Sequence, residues 1–285
     1  MYCAPCWKEP ALLEPALLEL AILAADALIV ARLRAAGCVF AEDEARLLAA
    51  AAQTPDELGA MVDRRAAGQP LEHVLGWAEF RGLRIAVDPG IFVPRRRTEF
   101  LVGQALAVAR PGDVIVDLCC GAGAIGIALA AAVPRAELHA ADIDPAAVRC
   151  ARRNAAAYAP ARGFTAHVYQ GDLYQPLPAG LLGRVAILTA NVPYVPTGQI
   201  AFLPPEARTY EPRVALDGGG DGLDLLRRVA AEAPRWLAPG GHLFVETSER
   251  QAEAAGAAFA ASGLVARVMR DEDLAATVIT GQRPG

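Results

Sequence analysis

The sequence predicts an α/β fold in which a doubly wound, mainly parallel sheet follows a small helical domain. Two observations carry this prediction. In residues 1 to about 75, apolar residues recur at steps of three and four, which is the spacing of an amphipathic helix. From Asp113 onward, short apolar runs alternate with helical segments. Such alternation is typical of a parallel sheet with helices on both faces.

The composition is that of a globular protein with a large core. Hydrophobic residues make up 54% and charged residues 21% of 285 positions, which argues against a wholly disordered chain. The length is sufficient for one large domain or for two domains of ordinary size. The net charge of −5 argues against a general nucleic-acid-binding protein, because such proteins usually present a basic face.

The N-terminal stretch lacks the pattern of a signal peptide, and the apolar stretch 16–31 contains two acidic residues. We therefore expect a cytoplasmic protein that does not contact a membrane. As a separate expectation, the protein is a monomer. Six cysteines in 285 residues are sparse for a disulfide framework, so we expect reduced thiols. Cys3 and Cys6 have CxxC spacing, but no second pair of metal ligands follows them, so no metal site is expected.

The N-terminal domain, residues 1–75, is predicted to contain three helices. Gly37 is placed to end the first, and the second spans about 41–52. The third begins at Thr54, whose side chain is expected to cap it while Glu57 closes a capping box. Nothing in this region has the pattern of a catalytic site. A small helical bundle of this kind predicts a recognition domain or a lid domain, and of these we expect substrate recognition.

A hairpin linker is predicted at residues 76–92, because residues 77–87 alternate between apolar and polar around Gly82. The main domain is predicted at residues 93–285, and its first helix starts at Thr98. Its strands are predicted at 114–118, 137–141, 165–169, 185–189, 242–246, 264–268 and 276–280.

The turn Asn191-Val192-Pro193-Tyr194 follows the apolar run 185–188 and is where we expect the chemistry. Pro193 stiffens the turn and pushes the preceding residue toward extended geometry. The Asn191 side-chain oxygen and the Val192 carbonyl then form two neighbouring acceptors, and Tyr194 adds an aromatic wall. This arrangement suits a planar group with an NH2, such as a carboxamide or an aminopurine. The alternative is a strand end with a structural proline turn.

A glycine-rich loop follows the strand predicted at 114–118. Gly121, Gly123 and Gly126 allow close approach to the backbone, and a helix N-terminus after them offers free N–H groups. The spacing also satisfies the GxGxxG pattern of dinucleotide sites. However, the Asp117 carboxylate precedes the loop and would repel a pyrophosphate. It favours a cationic ligand instead, namely the amino group and sulfonium of S-adenosylmethionine.

Two more acidic residues end strands of the predicted sheet. Asp142 comes nineteen positions after Gly123, where ribose hydroxyls are bound in such folds. Asp172 is placed to accept a hydrogen bond from an adenine amino group. Asp144, which precedes a proline, is assigned to helix capping. The predicted donor-binding residues are Asp117, Cys119, Gly121, Gly123, Ile125, Asp142, Ile143, Asp172, Leu173 and Asn191.

With these residues in place, the chain resembles the HemK/PrmC family of protein-(glutamine) methyltransferases over nearly its whole length. The stretches that carry the resemblance are 80–83, 93–99, 117–126, 191–194, 210–216, 221–223, 238–243 and Glu246. The resemblance implies a class I S-adenosylmethionine-dependent methyltransferase, Rossmann-like, with strand order 3-2-1-4-5-7-6. It implies that S-adenosylhomocysteine is the product and that the partner is a peptide chain release factor, methylated at the glutamine of its Gly-Gly-Gln loop.

The catalytic residues implied by this resemblance are those of the turn, and Asn191, Val192 and Tyr194 are predicted to bind the substrate together with Pro94 and Arg95. The family's turn is Asn-Pro-Pro-Tyr, so Val192 replaces the first proline. A carbonyl remains for amide recognition, but one fixed φ is lost. A second departure from the family is the pair Cys119-Cys120 in the glycine loop.

Two other acceptors are kept as alternatives. One is a small-molecule amide or amine, which the Val192 departure favours. The other is the adenine N6 of nucleic acid, against which the acidic net charge argues. We also expect Glu211 and Arg213 to form an ion pair that fixes a loop over the site, and Glu246 to lie near the donor.

Overall fold

The computed structural model describes residues 27–285. Contacts divide the chain into two compact units, with the boundary between Leu75 and Gly76. The segment predicted as a linker, 76–92, belongs to the second unit. Within residues 27–285, no helix combines the length and the apolar character needed to cross a membrane. Cys3, Cys6 and the first part of the predicted first helix lie outside the described residues.

The N-terminal unit is helical. Residues 27–35 form α1, and the helices after it are α2 (Ala41–Ala51), α3 (Pro55–Ala66) and α4 (Leu71–Leu75). Their core is built from buried residues that include Leu33, Ala41, Leu48, Met61, Val62 and Val74. A buried ion pair joins α2 to α3, with Arg65 Nε 2.6 Å from a Glu44 carboxylate oxygen.

The turns of this unit confirm two predictions from the sequence and correct a third. Gly37 follows α1 with a φ of +92°, the left-handed conformation that ends helices. The Thr54 hydroxyl accepts a hydrogen bond from the Glu57 N–H at 3.1 Å. The Glu57 carboxylate, however, accepts from the N–H of Gln53 at 2.8 Å rather than from the N–H of Thr54. The capping box is therefore displaced by one residue at its acidic end.

The second unit begins with a hairpin and continues into a seven-stranded sheet. The hairpin strands are β1 (Trp77–Phe80) and β2 (Leu83–Ala86). The sheet strands are β3 (Val114–Leu118), β4 (Glu137–Asp142), β5 (Thr165–Gln170), β6 (Val185–Ala190), β7 (Leu237–Thr247), β8 (Val265–Asp271) and β9 (Ala276–Gln282). The order is β5-β4-β3-β6-β7-β9-β8, in which β9 is antiparallel to both neighbours. This is the predicted order 3-2-1-4-5-7-6.

Helices cover both faces of this sheet. They are α5 (Glu99–Leu106), α6 (Ala124–Ala132), α7 (Pro145–Arg162), α9 (Asp224–Trp236) and α10 (Ala252–Ala261). The short helix α8 (Pro205–Tyr210) lies in the segment between β6 and α9. Successive strand residues enter different cores, because side chains alternate between the faces of a strand. Ile115 packs in the core that includes α6, whereas Val116 packs in the core that includes α9. The predicted α/β fold with a mainly parallel sheet is confirmed.

The polar residues singled out in the sequence lie at one edge of the sheet. Strands β3 to β7 pair in parallel, so their carboxyl ends meet at the same edge. Asp142 ends β4, and Asn191 directly follows β6. Ligands of open α/β sheets bind outside this edge, so the fold brings the two predicted halves of the site together.

The start of α6 is packed so closely that a glycine is required there. A Cβ added to Gly126 would lie 2.8 Å from Leu138 Cδ1 and 3.0 Å from the Asp117 side chain. We predict that Gly126→Ala lowers the free energy of unfolding by about 1–3 kcal/mol, the usual effect of overpacking.

Gly256→Ala is the matched control, because Gly256 lies inside α10 and a Cβ there meets nothing within 4 Å. The control should raise the free energy of unfolding by about 0.5–1 kcal/mol, since alanine favours helix. Urea titration of both variants tests this. Equal stability of the two variants would contradict the packing argument.

Candidate functional site

The loop between β3 and α6 carries three residues with positive φ. They are Cys119 at +53°, Gly121 at +54° and Gly123 at +83°. The left-handed region is uncommon for a residue with a side chain, and such strain concentrates at ligand-binding loops. Gly123 is the N-cap of α6 and supplies no side-chain cap. The first turn of α6 therefore begins at the carboxyl end of β3 without a capping side chain from its own N-cap residue.

Asp117 holds this loop from below. Its side chain is fully buried, and one carboxylate oxygen accepts from the Gly126 N–H at 3.0 Å while the other accepts from the Thr189 hydroxyl at 2.8 Å. Burial raises the pKa of the carboxyl to about 7, and the two hydrogen bonds oppose that shift. We expected Asp117 to face the ligand. The structure places it beneath the loop, because β3 is a central strand and α6 covers it.

Asp142 and its neighbours follow β4 and lie next to the glycine loop. The half-buried Asp142 carboxylate accepts from the Gly121 N–H at 2.8 Å and from the Asp144 N–H at 2.9 Å. Burial raises the pKa of this carboxyl above its usual value. Ile143 leaves 53% of its surface exposed. Asp144 caps α7 by accepting from the Ala146 N–H at 2.8 Å, which confirms its predicted structural role.

The glycine loop between β3 and α6, together with the residues that follow β4 and β5, is called the donor cradle. Its far end follows β5. The Asp172 carboxylate lies 2.6 Å from the Arg228 guanidinium, a partner that the sequence did not indicate. Leu173 is buried and has a φ of +49°, a second strained residue in this region. Burial raises the pKa of the Cys119 thiol, so it stays protonated at neutral pH. Ile125 lies buried in the first turn of α6.

This cradle fits S-adenosylmethionine in its chemistry. Gly126 leaves no room for a side chain where Asp117 fixes the loop, so the loop backbone keeps one shape. A carboxylate at the end of β4 suits ribose hydroxyls, and the exposed apolar Ile143 beside it suits an adenine face. No cluster of His, Cys, Asp or Glu able to hold a metal ion occurs among residues 27–285.

The acceptor turn, residues 191–194, presents two oxygens that accept no hydrogen bond from any of the residues 27–285. Asn191 is half-buried, and its side-chain amide makes no hydrogen bond within the described part of the chain. The carbonyl of Val192 likewise accepts none there. The Val192 side chain is 1% exposed and packs in the core that contains α9. Burial of the Val192 side chain therefore fixes this position of the turn without the proline that the family has there.

Tyr194 is held by charged neighbours. Its hydroxyl accepts from the Arg97 guanidinium at 2.5 Å and donates to Glu246 at 3.2 Å. The buried Glu246 carboxylate also accepts from Arg97 Nε at 2.9 Å and from the Thr98 hydroxyl at 2.5 Å. Burial and the Glu246 charge raise the pKa of Tyr194 to about 12, so the phenol stays neutral. Glu246 thus orients the acceptor turn, where we had expected a role near the donor.

The pairing expected between Glu211 and Arg213 is wrong. The buried Glu211 carboxylate accepts from Arg95 at 2.5 Å and from the Val93 N–H at 3.2 Å. Arg213 lies on the short turn after it and pairs instead with Asp217, one helical turn onward, at 3.1 Å. The predicted substrate residue Arg95 is therefore anchored through one nitrogen, and its guanidinium also stacks over the Phe92 ring. Pro94 lies half-buried between these anchors.

Three residues that the sequence reasoning missed hold the site together. Thr189 joins Asp117 to the acceptor turn. The buried Asn154 donates to the Ala122 carbonyl at 2.9 Å and so ties the glycine loop to α7. Gln251 donates to the Tyr194 carbonyl at 2.9 Å. A signal existed for Thr189, because Asp117 and Thr189 are both polar residues within otherwise apolar strand runs.

A pH-dependent stability follows from the buried Asp117. Its folded pKa of about 7 exceeds the ordinary value of 3.8, so the folded state binds more protons between these values. The free energy of unfolding should therefore fall as the pH rises from about 4 to 7, by roughly 4 kcal/mol at most.

Asp117→Asn imitates the protonated carboxyl and should remove this slope. Urea titrations at pH 5 and pH 8 measure it. The wild type should lose stability relative to the variant at pH 8. A wild type and variant with parallel pH profiles would show that Asp117 titrates normally.

Known proteins resemble this chain in both fold and sequence. The family model described as Methyltransferase small domain matches residues 82–196. A release factor glutamine methyltransferase of Geobacter sulfurreducens is 40% identical over 212 residues, which cover 73% of this chain and 72% of that protein. A 4-amino-L-phenylalanine/4-methylamino-L-phenylalanine methyltransferase of Streptomyces pristinaespiralis is 36% identical over 220 residues, which cover 75% of this chain and 73% of that protein.

A crystal structure of a methyltransferase from Pyrococcus furiosus shares the fold, with a TM-score of 0.54 at 15% identity over 72% of this chain and 91% of that chain. This likeness supports the fold alone. The sequence identity to the Geobacter protein extends over most of both chains and therefore supports membership of the same family. This chain accordingly belongs to the release factor glutamine methyltransferase family, HemK/PrmC, whose methyl donor is S-adenosylmethionine.

Proposed function

We propose that this enzyme methylates the side-chain amide nitrogen of a glutamine in a peptide chain release factor. The observation that carries the proposal is a pair of acceptors in the acceptor turn, the Asn191 side-chain oxygen and the Val192 carbonyl. Neither accepts a hydrogen bond within the described part of the chain. A glutamine amide has two N–H groups to donate to them. Relatives that carry this function in their names, such as the Geobacter protein, support the same substrate.

The donor would be held by the glycine loop and the acidic strand ends. Asp142 would bind the ribose hydroxyls and Asp172 the adenine amino group, with Ile143 and Leu173 against the adenine ring. Cys119, Gly121, Gly123 and Ile125 would line the loop around the rest of the donor, and Asp117 would act from beneath by keeping the loop in shape. When bound, S-adenosylmethionine supplies an electrophilic methyl group on a sulfonium.

The acceptor turn would supply orientation. An amide nitrogen is a poor nucleophile, because its lone pair is delocalised into the carbonyl. Asn191 and the Val192 carbonyl would accept both N–H groups and hold the nitrogen in line with the methyl, and such orientation lowers barriers by up to about 7–11 kcal/mol. The same acceptors stabilise the positive charge that develops on nitrogen. The methylated amide cation loses a proton readily, so no strong base is needed.

The other turn residues would shape the acceptor pocket. Pro193 is buried and stiffens the turn. The Tyr194 ring, fixed by Arg97 and Glu246, would lie against the flat amide and exclude water. Pro94 and Arg95 would contact the polypeptide around the glutamine. The N-terminal unit would recognise more distant parts of the release factor in the cytoplasm, where translation takes place.

A second acceptor class is favoured by one observation. The Streptomyces pristinaespiralis relative is named for methylation of a free aromatic amine, and it matches this chain over 75% of its length. An aryl NH2 poses the same geometric problem to the acceptor turn.

Tritiated methyl transfer to release factor, to 4-amino-L-phenylalanine and to DNA oligomers separates the classes. We expect label in the release factor, and label confined to either of the others contradicts the proposal.

Asn191→Ala tests the mechanism. We expect turnover to fall at least 100-fold, because one of the two acceptors is lost, while the Kd for S-adenosylmethionine stays within about threefold. Steady-state kinetics and calorimetry measure the two effects. Gln282→Ala is the matched control, since it removes an exposed amide at the end of β9, on the opposite edge of the sheet. Wild-type turnover in Asn191→Ala rules out the orienting role.

A further inference from the structure

A cleft of about 340 Å³ opens directly beside the acceptor turn. One wall follows β6 and includes Tyr194, Val195 and Phe202, and the opposite wall follows β7 and includes Arg250 and Gln251. Because β6 and β7 are neighbouring parallel strands, both walls lie at the carboxyl edge of the sheet. The predicted donor cradle follows β3, β4 and β5 instead. The cleft therefore lies on the acceptor side of the site.

The walls of the cleft are fixed by hydrogen bonds and close packing. Gln251 donates from its amide nitrogen to the Tyr194 carbonyl and to the Asp221 carbonyl, each at 2.9 Å. The Ser248 hydroxyl donates to the oxygen of the same amide at 2.5 Å. A Cβ added to Gly222 would lie 2.3 Å from the Tyr194 carbonyl oxygen, so the two backbone segments touch. The cleft is thus preformed.

The lining combines exposed apolar surface with hydrogen-bonding groups that have no partner among the described residues. Phe202 leaves 85% of its surface exposed, and Leu203 and Pro196 lie beside it. Arg250 and the side chain of Gln199 make no ion pair or hydrogen bond within residues 27–285. Apolar patches rimmed by polar groups are typical of binding surfaces. Free donors next to apolar walls match a polypeptide, which offers apolar side chains and main-chain carbonyls together.

We propose that this cleft binds the polypeptide segment that flanks the methylated glutamine. An apolar side chain of that segment would pack against Phe202 and Leu203, and a main-chain carbonyl would face Arg250. This inference rests on the proposed function. Tyr194 belongs to both the acceptor turn and the cleft, and Val195 follows it in the cleft wall. A substrate residue one or two positions from the glutamine therefore reaches the cleft, since each residue of chain spans about 3.8 Å.

The size and charge of the cleft favour a peptide over a nucleic acid. A volume of about 340 Å³ is at the small end of ligand pockets and suits one or two side chains. Among the described residues that line the cleft, only Arg250 is basic, whereas a nucleic acid site neutralises several phosphates. A polypeptide that crosses the cleft would also cover more of the exposed Phe202 side chain than a small amine would.

Phe202→Ala tests the proposal with full-length release factor as substrate. Because 85% of Phe202 is exposed, its removal should leave the melting temperature unchanged. We expect the KM for release factor to rise about tenfold in Phe202→Ala, with the Kd for S-adenosylmethionine unchanged. Leu182→Ala is the control, since Leu182 is 41% exposed and precedes β6, at the amino edge of the sheet. Its KM should equal that of the wild type.

Three outcomes separate this inference from the function on which it rests. If the wild type methylates release factor and Phe202→Ala keeps the wild-type KM, the cleft assignment alone is overturned. If the wild type does not methylate release factor at all, the proposed function fails and the assignment falls with it. If Phe202→Ala impairs methylation of 4-amino-L-phenylalanine and not of release factor, the cleft holds a small molecule, and the peptide assignment is overturned.

Discussion

The site depends on one buried carboxylate between two strands. Asp117 in β3 and Thr189 in β6 are register partners, and a 2.8 Å hydrogen bond joins them. The other Asp117 oxygen holds the Gly126 N–H in the first turn of α6. The acceptor turn begins two residues after Thr189. A single side chain, that of Asp117, therefore connects the glycine loop to the acceptor turn. Because buried polar groups are expensive to leave unpaired, this connection resists distortion from either side.

The acceptor turn gains its rigidity in a different way from that expected of two consecutive prolines. Val192 contributes a buried side chain to the core, so its backbone is fixed by packing rather than by a ring. Tyr194 is fixed at its hydroxyl by Arg97 and Glu246, and at its carbonyl by Gln251. The departure from the family's turn thus changes the source of stiffness and keeps the two acceptor oxygens. Recognition of a planar NH2 is compatible with this sequence.

The sequence predicted well what depends on local pattern. All seven sheet strands were located, and Asn191 was placed at a strand exit, because apolar runs and turn residues are read over a few positions. Local sequence patterns did not predict the contacts that join distant parts of the chain. Thr98 and Glu246 are 148 positions apart, and Arg95 pairs with Glu211 across 116. The burial of Asp117 likewise follows from the central position of β3, which no local pattern reveals. The cleft beside Phe202 is built from two loops after different strands.

In the proposed complex, the acceptor turn holds an NH2 between a side-chain oxygen and a neighbouring peptide oxygen, while Asp117 holds the glycine loop from beneath. A crystal structure of the complex with S-adenosylhomocysteine and release factor tests it most directly. We expect the glutamine amide nitrogen to lie within about 3.2 Å of both the Asn191 side-chain oxygen and the Val192 carbonyl oxygen. A glutamine bound elsewhere, or an acceptor turn whose two oxygens bond to the protein in that complex, would contradict it.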